Sequence, residues 1–332
     1  MEALSVNAIP EGKQWQYEPK WDGFRCLAFR DGSTIELQSK SEQPLARYFP
    51  DLVKALSELE ARRFVLDGEI AIPEGRDFSF DALLQRIHPA ASRVKRLATQ
   101  TPAILVVFDL LAAEDGRSLL SLPLSERRIR LERFAAEFFD KAGSVRLSPA
   151  TSRFADAKKW LTQSAATLDG IIAKRRDLDY RSGARDGMQK VKNFRSADCV
   201  VGGFRYGKGT KMVGSLLLGL YDADGLLQHV GFTSSIAATD RPALTKKLEK
   251  LIAPPGFTGS APGGPSRWNQ GKENIWHPLK PALIVEVCYD HVTGYRFRHG
   301  TKLLRWRPDK APAQCKLDQL AQKQSNLLRL LR

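Results

Sequence analysis

Glu18-Pro19-Lys20-Trp21-Asp22-Gly23-Phe24-Arg25 is the stretch on which the reading of this 332-residue chain turns. Asp-Gly two residues after Lys20 signals a tight turn, so a primary amine stands just ahead of a reversal of the chain. Arg25 comes back along the next strand. An amine in this setting can attack phosphorus if neighbouring cations or a metal lower its pKa. Taken alone, the string fits a surface hairpin closed by a salt bridge equally well. Its surroundings have to decide.

Residues 14 to 40 alternate short apolar runs with turn signals at Trp21-Asp22-Gly23 and Arg30-Asp31-Gly32-Ser33, which predicts strand, turn and hairpin. Leu52, Val53, Leu56 and Leu59 give Asp51 to Arg62 a helical spacing. Phe64 to Ile72 reads as two strand pieces about Gly68. Phe80 to Ile87 and Ser125 to Asp140 are expected helices, and Ala103 to Leu111 and Leu168 to Lys174 are expected strands. Beyond Arg195 the texture changes. Cys199 to Tyr206, Ser215 to Tyr221, Leu226 to Phe232 and Leu283 to Tyr289 are short strands between Gly-rich turns, the pattern of a small β-barrel. Ala253 to Pro265 is Pro/Gly-rich and reads as an exposed loop. Ala313 to Leu331 has helical periodicity, and its leucines (Leu317, Leu320, Leu327, Leu328 and Leu331) need burial, which predicts a terminal helix packed on the barrel. No internal repeat is present.

Charge divides the chain in the same way. The formal net charge is +15, and the residues from Arg195 onward hold +11 of it. A basic excess concentrated in one portion points to a polyanion such as nucleic acid, because each neutralised phosphate releases condensed counterions. The four cysteines (Cys26, Cys199, Cys288 and Cys315) are scattered and form no CxxC pair, which argues against a zinc site and for a reduced interior. No apolar run is long enough to span a bilayer and no signal peptide is evident, so a cytoplasmic protein is expected.

Five further strings follow Lys20 in order: Leu66-Asp67-Gly68-Glu69, Phe108-Asp109-Leu110-Leu111, Leu168-Asp169-Gly170-Ile171-Ile172-Ala173-Lys174, Gln189-Lys190-Val191-Lys192, and Arg305-Trp306-Arg307-Pro308-Asp309-Lys310. Lys190 and Lys192 alternate on a strand, so both point to one face and can reach a triphosphate. Carboxylates such as Glu69 and Asp169 suit Mg²⁺, which prefers oxygen ligands and bridges phosphates. Each string is weak alone; six in this order are specific.

Together they resemble the six collinear motifs of the covalent nucleotidyltransferases, the superfamily of ATP-dependent DNA ligases, RNA ligases and mRNA capping enzymes. Among these the chain is most similar to the minimal, stand-alone bacterial C-type ATP-dependent DNA ligases, over roughly residues 14 to 310. The resemblance implies an α+β fold: an adenylation (nucleotidyltransferase) domain of ATP-grasp-like antiparallel sheets and helices over 1–194, then an OB-fold barrel with a C-terminal helix over 195–332. It implies that Lys20 is the AMP-lysine nucleophile. Arg25, Glu69, Phe108 (stacked on the base), Lys174, Lys190 and Lys192 would hold ATP, and Glu69 and Asp169 would hold Mg²⁺ or Mn²⁺. Arg305, Arg307 and Lys310 would come from the barrel onto the leaving pyrophosphate. Ser39-Lys40 resembles a contact on the nick 5′-phosphate. Glu18 resembles the position that accepts from the adenine amine; an ionised carboxylate only accepts, so it suits an amino group.

Nicked duplex DNA is then the substrate, bacterial end-joining or repair proteins are the partners, and a monomer acting at the nucleoid is the expected form. Two positions depart from the family pattern: Asp169 stands where Glu is usual, and Met188 where Trp is common. Three other functions share parts of the evidence: an RNA ligase, a GTP-using capping-type enzyme, and a non-catalytic OB protein that only binds nucleic acid.

Overall fold

The computed structural model describes residues 1–140, 143–163, 168–263, 275–321 and 326–331. The chain forms two units: Met1–Asn193 with Gln322–Arg332, and Phe194–Ala321.

The first unit is built on two sheets. One has the order β1 (Ala3–Ser5), β9 (Met188–Lys192), β8 (Gly170–Arg175), β2 (Trp15–Lys20), with β1 parallel to β9 and the other pairs antiparallel. The other runs β4 (Thr34–Ser39), β3 (Phe24–Asp31), β5 (Arg63–Ala71), β6 (Ile104–Ala112), β7 (Val145–Leu147). Asp22-Gly23 is the junction that carries the chain from β2 in the first sheet to β3 in the second. The two expected strand pieces about Gly68 are one strand, β5. The irregularity survives as a register shift against β6 between Asp67 and Gly68, where a glycine lets the Val106 carbonyl come close.

Helices cover the second sheet. α1 (Pro50–Glu58) opens with proline in its first turn and buries Leu52 and Leu56, as the spacing predicts; it stops short of Arg62 because Leu59 is already extended. α2 (Phe80–Arg86), capped by the Ser79 hydroxyl, and α4 (Leu124–Phe138) also match expected helices. α3 (Ala91–Gln100), which buries only Val94, and α5 (Phe154–Gln163), which packs on the first sheet, fall outside the expected helices. Arg86 is completely buried in this layer. Its guanidinium donates to both Asp51 carboxylate oxygens and to the Tyr48 and Thr101 carbonyls, so α1, α2 and the end of α3 are tied by one cation.

The second unit has a sheet of order β12 (Leu227–Thr233), β11 (Val213–Tyr221), β10 (Arg195–Tyr206), β13 (Ile284–Tyr289), β14 (Lys302–Trp306), and His277–Pro278 adds to β10. All four expected strands are present. Its core gathers Val200, Phe204, Leu216, Leu218, Val230 and Val285, with α6 (Arg241–Glu249) contributing Leu248. An isolated bridge joins Thr233 to Thr301, but no ladder among the described residues closes the sheet. Ala253 to Pro265 falls partly outside the described residues; the described part is a loop, yet Phe257 is buried in the core rather than exposed.

The expected terminal helix is not one. Pro312–Gln314, Leu317–Leu320 and Leu327–Leu331 form short 3-10 turns. Leu320 joins the core of the second unit, whereas Leu327 and Leu331 join Trp15, Tyr17 and Ala157 in the first. The leucines are buried as required, but on two cores, which a single straight helix packed on the barrel could not reach.

Candidate active site

Strand register assembles the site in rows. Lys20 on β2, Gly170 on β8 and Lys192 on β9 face one another, and Glu18, Ile172 and Lys190 form the next row. Because side chains alternate, Glu18, Lys20, Lys190 and Lys192 share one face. A third row holds Gln16, Lys174 and Met188.

Two glycines permit this. A Cβ on Gly23 would run into the Ile70 carbonyl and lie 2.8 Å from Glu69 Cγ, so only glycine lets β5 bring Glu69 up to the lysine turn. Gly170 has φ +149° and its added Cβ would collide with the Val191 carbonyl. Asp169 is thereby held just outside β8, against Lys20.

Lys20 Nζ donates to the Asp169 carboxylate, which is almost wholly buried. The expected lowering of the lysine pKa is reversed. Burial alone pulls it down, but the charge and hydrogen bond of Asp169, followed by Glu69 and Asp22, outweigh burial and raise it. Lys190 does shift downward, first through burial and then through Lys20, Lys192 and Lys40. Burial pushes Glu69 up to about 8 against the pull of Lys20 and Arg25, so these two cations alone do not keep the carboxyl charged at neutral pH. Asp169 pairs with the lysine directly, and Glu69 is near enough to act on it through charge. No cluster of three or more metal-ligating side chains exists among the described residues. Two carboxylates suit Mg²⁺, which fills its remaining positions with water and phosphate oxygens.

The nucleoside-side residues also converge. Glu18 is buried; it accepts from Lys174 Nζ at 2.7 Å and from Gln16 at 2.8 Å. Lys174 Nζ sits 4.2 Å from the Phe108 ring centroid and the Arg25 guanidinium 5.7 Å from it. Arg25 grips Asp67 with two hydrogen bonds, of 3.0 and 2.7 Å, and Tyr180 adds a third to the same carboxylate at 3.0 Å. Asp67 stands two residues before Glu69 in the same motif, and its role as a partner of Arg25 has no local signal; Tyr180 has none either. Met188 is buried where a larger ring is common. Lys40, in the turn after β4, is 60% exposed and pairs with Glu2 at 2.9 Å.

Arg305, Arg307 and Lys310 belong to the second unit. Arg305 donates to Glu286 at 2.7 Å; Arg307 and Lys310 both donate to Asp198, at 2.8 and 2.7 Å.

The ATP dependent DNA ligase domain family matches residues 3–192, and the ATP dependent DNA ligase C terminal region matches residues 209–310. The chain belongs to the ATP-dependent DNA ligases. It is 47% identical to DNA ligase C2 of Mycolicibacterium smegmatis, over 96% of this chain and 93% of that protein. It is 29% identical to the multifunctional non-homologous end joining DNA repair protein LigD of Mycobacterium tuberculosis, over 92% of this chain and 37% of that one. A solved structure described as a minimal-scaffold Lig E DNA ligase shares the fold at TM-score 0.54 and 18% identity, covering 92% of this chain and all of that one. The ligase thus uses ATP to join DNA, and the resemblance to the stand-alone C-type enzymes holds. No helix among its described residues is long and apolar enough to cross a membrane.

Proposed function

We propose that Lys20 is the residue that becomes adenylated and that the rows around it are the nucleotide site. The observation that carries this is the register placing Lys20, Lys190, Lys192 and Glu18 on one face, with Asp169 and Glu69 closing on the amine. The amine loses one proton to solvent and attacks the α-phosphorus of ATP. The N–P bond forms as the P–O bond to pyrophosphate breaks. Lys190 and Lys192 take up charge growing on the α-phosphate, and Arg305, Arg307 and Lys310 orient the leaving group. The AMP then passes to the 5′-phosphate of a nick, with Lys40 on that phosphate, and the 3′-hydroxyl displaces AMP to seal the strand.

Glu18, paired with Lys174, offers the acceptor for the adenine amine; Phe108 stacks on the base, Glu69 reaches the ribose, and Arg25, fixed by Asp67 and Tyr180, lines the nucleotide site. Glu69 and Asp169 would hold Mg²⁺ or Mn²⁺, which supplies Lewis-acid stabilisation of phosphate charge when bound. The second unit is read as an OB fold, with the isolated Thr233–Thr301 bridge as its support, and residues 1–194 and 195–332 as the two functional domains. Duplex DNA bearing a nick is the substrate, in end joining or repair, for a monomer in the cytoplasm; four free cysteines fit a reducing compartment.

Incubation with α-labelled ATP or GTP, followed by a denaturing gel, tests this reading. Label from ATP alone, absent in Lys20→Ala, is the expected outcome. Label from GTP would make the chain a capping-type enzyme. Preference for nicked RNA over nicked DNA would make it an RNA ligase. Binding without any label would leave only a nucleic-acid-binding module.

A further inference from the structure

Asp198 and Glu286 face each other across β10 and β13, and Arg305 follows Glu286 in the next strand, β14. Two acids placed opposite one another in a sheet repel, so the arrangement is stable only if cations compensate. Three do. Arg305 Nε donates to Glu286 at 2.7 Å, Arg307 Nη1 to Asp198 Oδ1 at 2.8 Å, and Lys310 Nζ to Asp198 Oδ2 at 2.7 Å. Arg307 and Lys310 belong to one turn, closed by the Lys310 amide on the Arg307 carbonyl, and Asp198 is the carboxylate they share. Arg307 also donates to Asp309 inside the turn, at 3.0 and 2.8 Å, a hold that Lys310 lacks among the described residues.

Asp198 is itself held. β11 pairs with β10 only from Val200 onward, so on that side the Asp198 backbone has no strand neighbour. The Gln319 side chain takes the vacant place: its Oε1 accepts from the Asp198 amide at 2.9 Å and its Nε2 donates to the Asp198 carbonyl at 3.2 Å. Gln319 thus imitates an adjoining strand for one residue, and the 3-10 turn Leu317–Leu320 that carries it is anchored by Leu320 in the core.

We propose that Asp198 is a positioning residue for Arg307 and Lys310, and that Gln319 sets Asp198. This rests on the reading that those two cations orient pyrophosphate. Two long flexible side chains lose rotamer freedom on gripping a leaving group, and holding them beforehand removes part of that cost. The requirement applies to adenylation of Lys20 only. Once pyrophosphate has left, joining a nick that already carries AMP on its 5′-phosphate makes no use of the pair.

The test is single-turnover kinetics of both steps on the full chain. Asp198→Asn keeps the shape and removes the charge; it is expected to slow Lys20 adenylation at saturating ATP by about tenfold or more. Sealing of pre-adenylated nicked DNA should stay within about twofold of wild type, and Gln319→Ala should slow adenylation by about threefold. Equal loss in both steps with a lowered melting temperature would assign Asp198 a merely structural role and overturn the proposal. Normal adenylation by Asp198→Asn, with Arg307→Ala slow, would also overturn it. Normal adenylation by Arg307→Ala and Lys310→Ala would instead remove the underlying reading of those cations.

Discussion

Two regions of this ligase hold the cations proposed for the reaction against carboxylates, and they do so differently. In the first unit, Lys20 lies in a row of paired strands, and its partner Asp169 is 3% exposed. In the second unit, Arg305 is 65% exposed and its partner Glu286 sits at 18%. Register fixes the first, and few other geometries are open to it. Side-chain pairs and one turn fix the second, where Arg307 and Lys310 are as covered as Lys20 (19% and 22% against 22%) and only Arg305 stands in solvent. A buried pair cannot lose one member cheaply, whereas an exposed pair is worth little. A nucleophile that must stay at one phosphorus suits the first kind of site, and cations that must grip and release pyrophosphate suit the second.

The comparison can be broken most severely at Lys20. Replacing it by Ala should remove covalent AMP altogether, by at least about 10³-fold in initial rate, as loss of a nucleophile demands. A gel assay with residual label at even a tenth of wild type would show that the row is not the site. Next in size is the scaffold beneath it. Arg86→Ala leaves Asp51 buried without its cation, so urea unfolding should report a loss of about 3–5 kcal/mol. A loss under about 1 kcal/mol would mean that buried pairs in this unit are as dispensable as exposed ones.

A smaller, sharper effect concerns pH. The pKa of Lys20 is raised, so its amine stays protonated to higher pH and self-adenylation should climb as pH rises through the alkaline range. Asp169→Asn removes the leading raising influence and leaves burial, which lowers the pKa. The climb should therefore move to lower pH even though the plateau rate falls. A pH profile of unchanged midpoint would contradict this coupling. Smallest of all, Lys40→Ala should slow nick sealing by no more than about threefold and less at high salt, since its pair with Glu2 is open to solvent.

Much of this was legible before any coordinates. The alternation of Lys190 and Lys192 puts both on one face, as period-two geometry requires, and the Asp-Gly after Lys20 turns the chain into the next strand as expected. The register that lines them up with Lys20 and the positive φ of Gly170 are not in the local pattern. Three things were not legible. Asp67, Tyr180 and Asp198 act by pairing across long sequence distances, and no local pattern marks a residue as a partner of one found 113 positions away. The tail showed helical spacing but formed 3-10 turns, because its leucines serve two cores. The rise of the Lys20 pKa is not legible either, because Asp169, drawn in by Gly170, pairs with it from 149 positions away and outweighs burial.

The most direct measurement is peptide mapping of the covalent adenylate. The ligase is incubated with ATP, digested, and the AMP-bearing peptide located by mass spectrometry under conditions that preserve the phosphoramidate. AMP on the peptide containing Lys20 is the expected result; AMP on Lys190, Lys192 or Lys174, or on none, would contradict the assignment of the nucleophile.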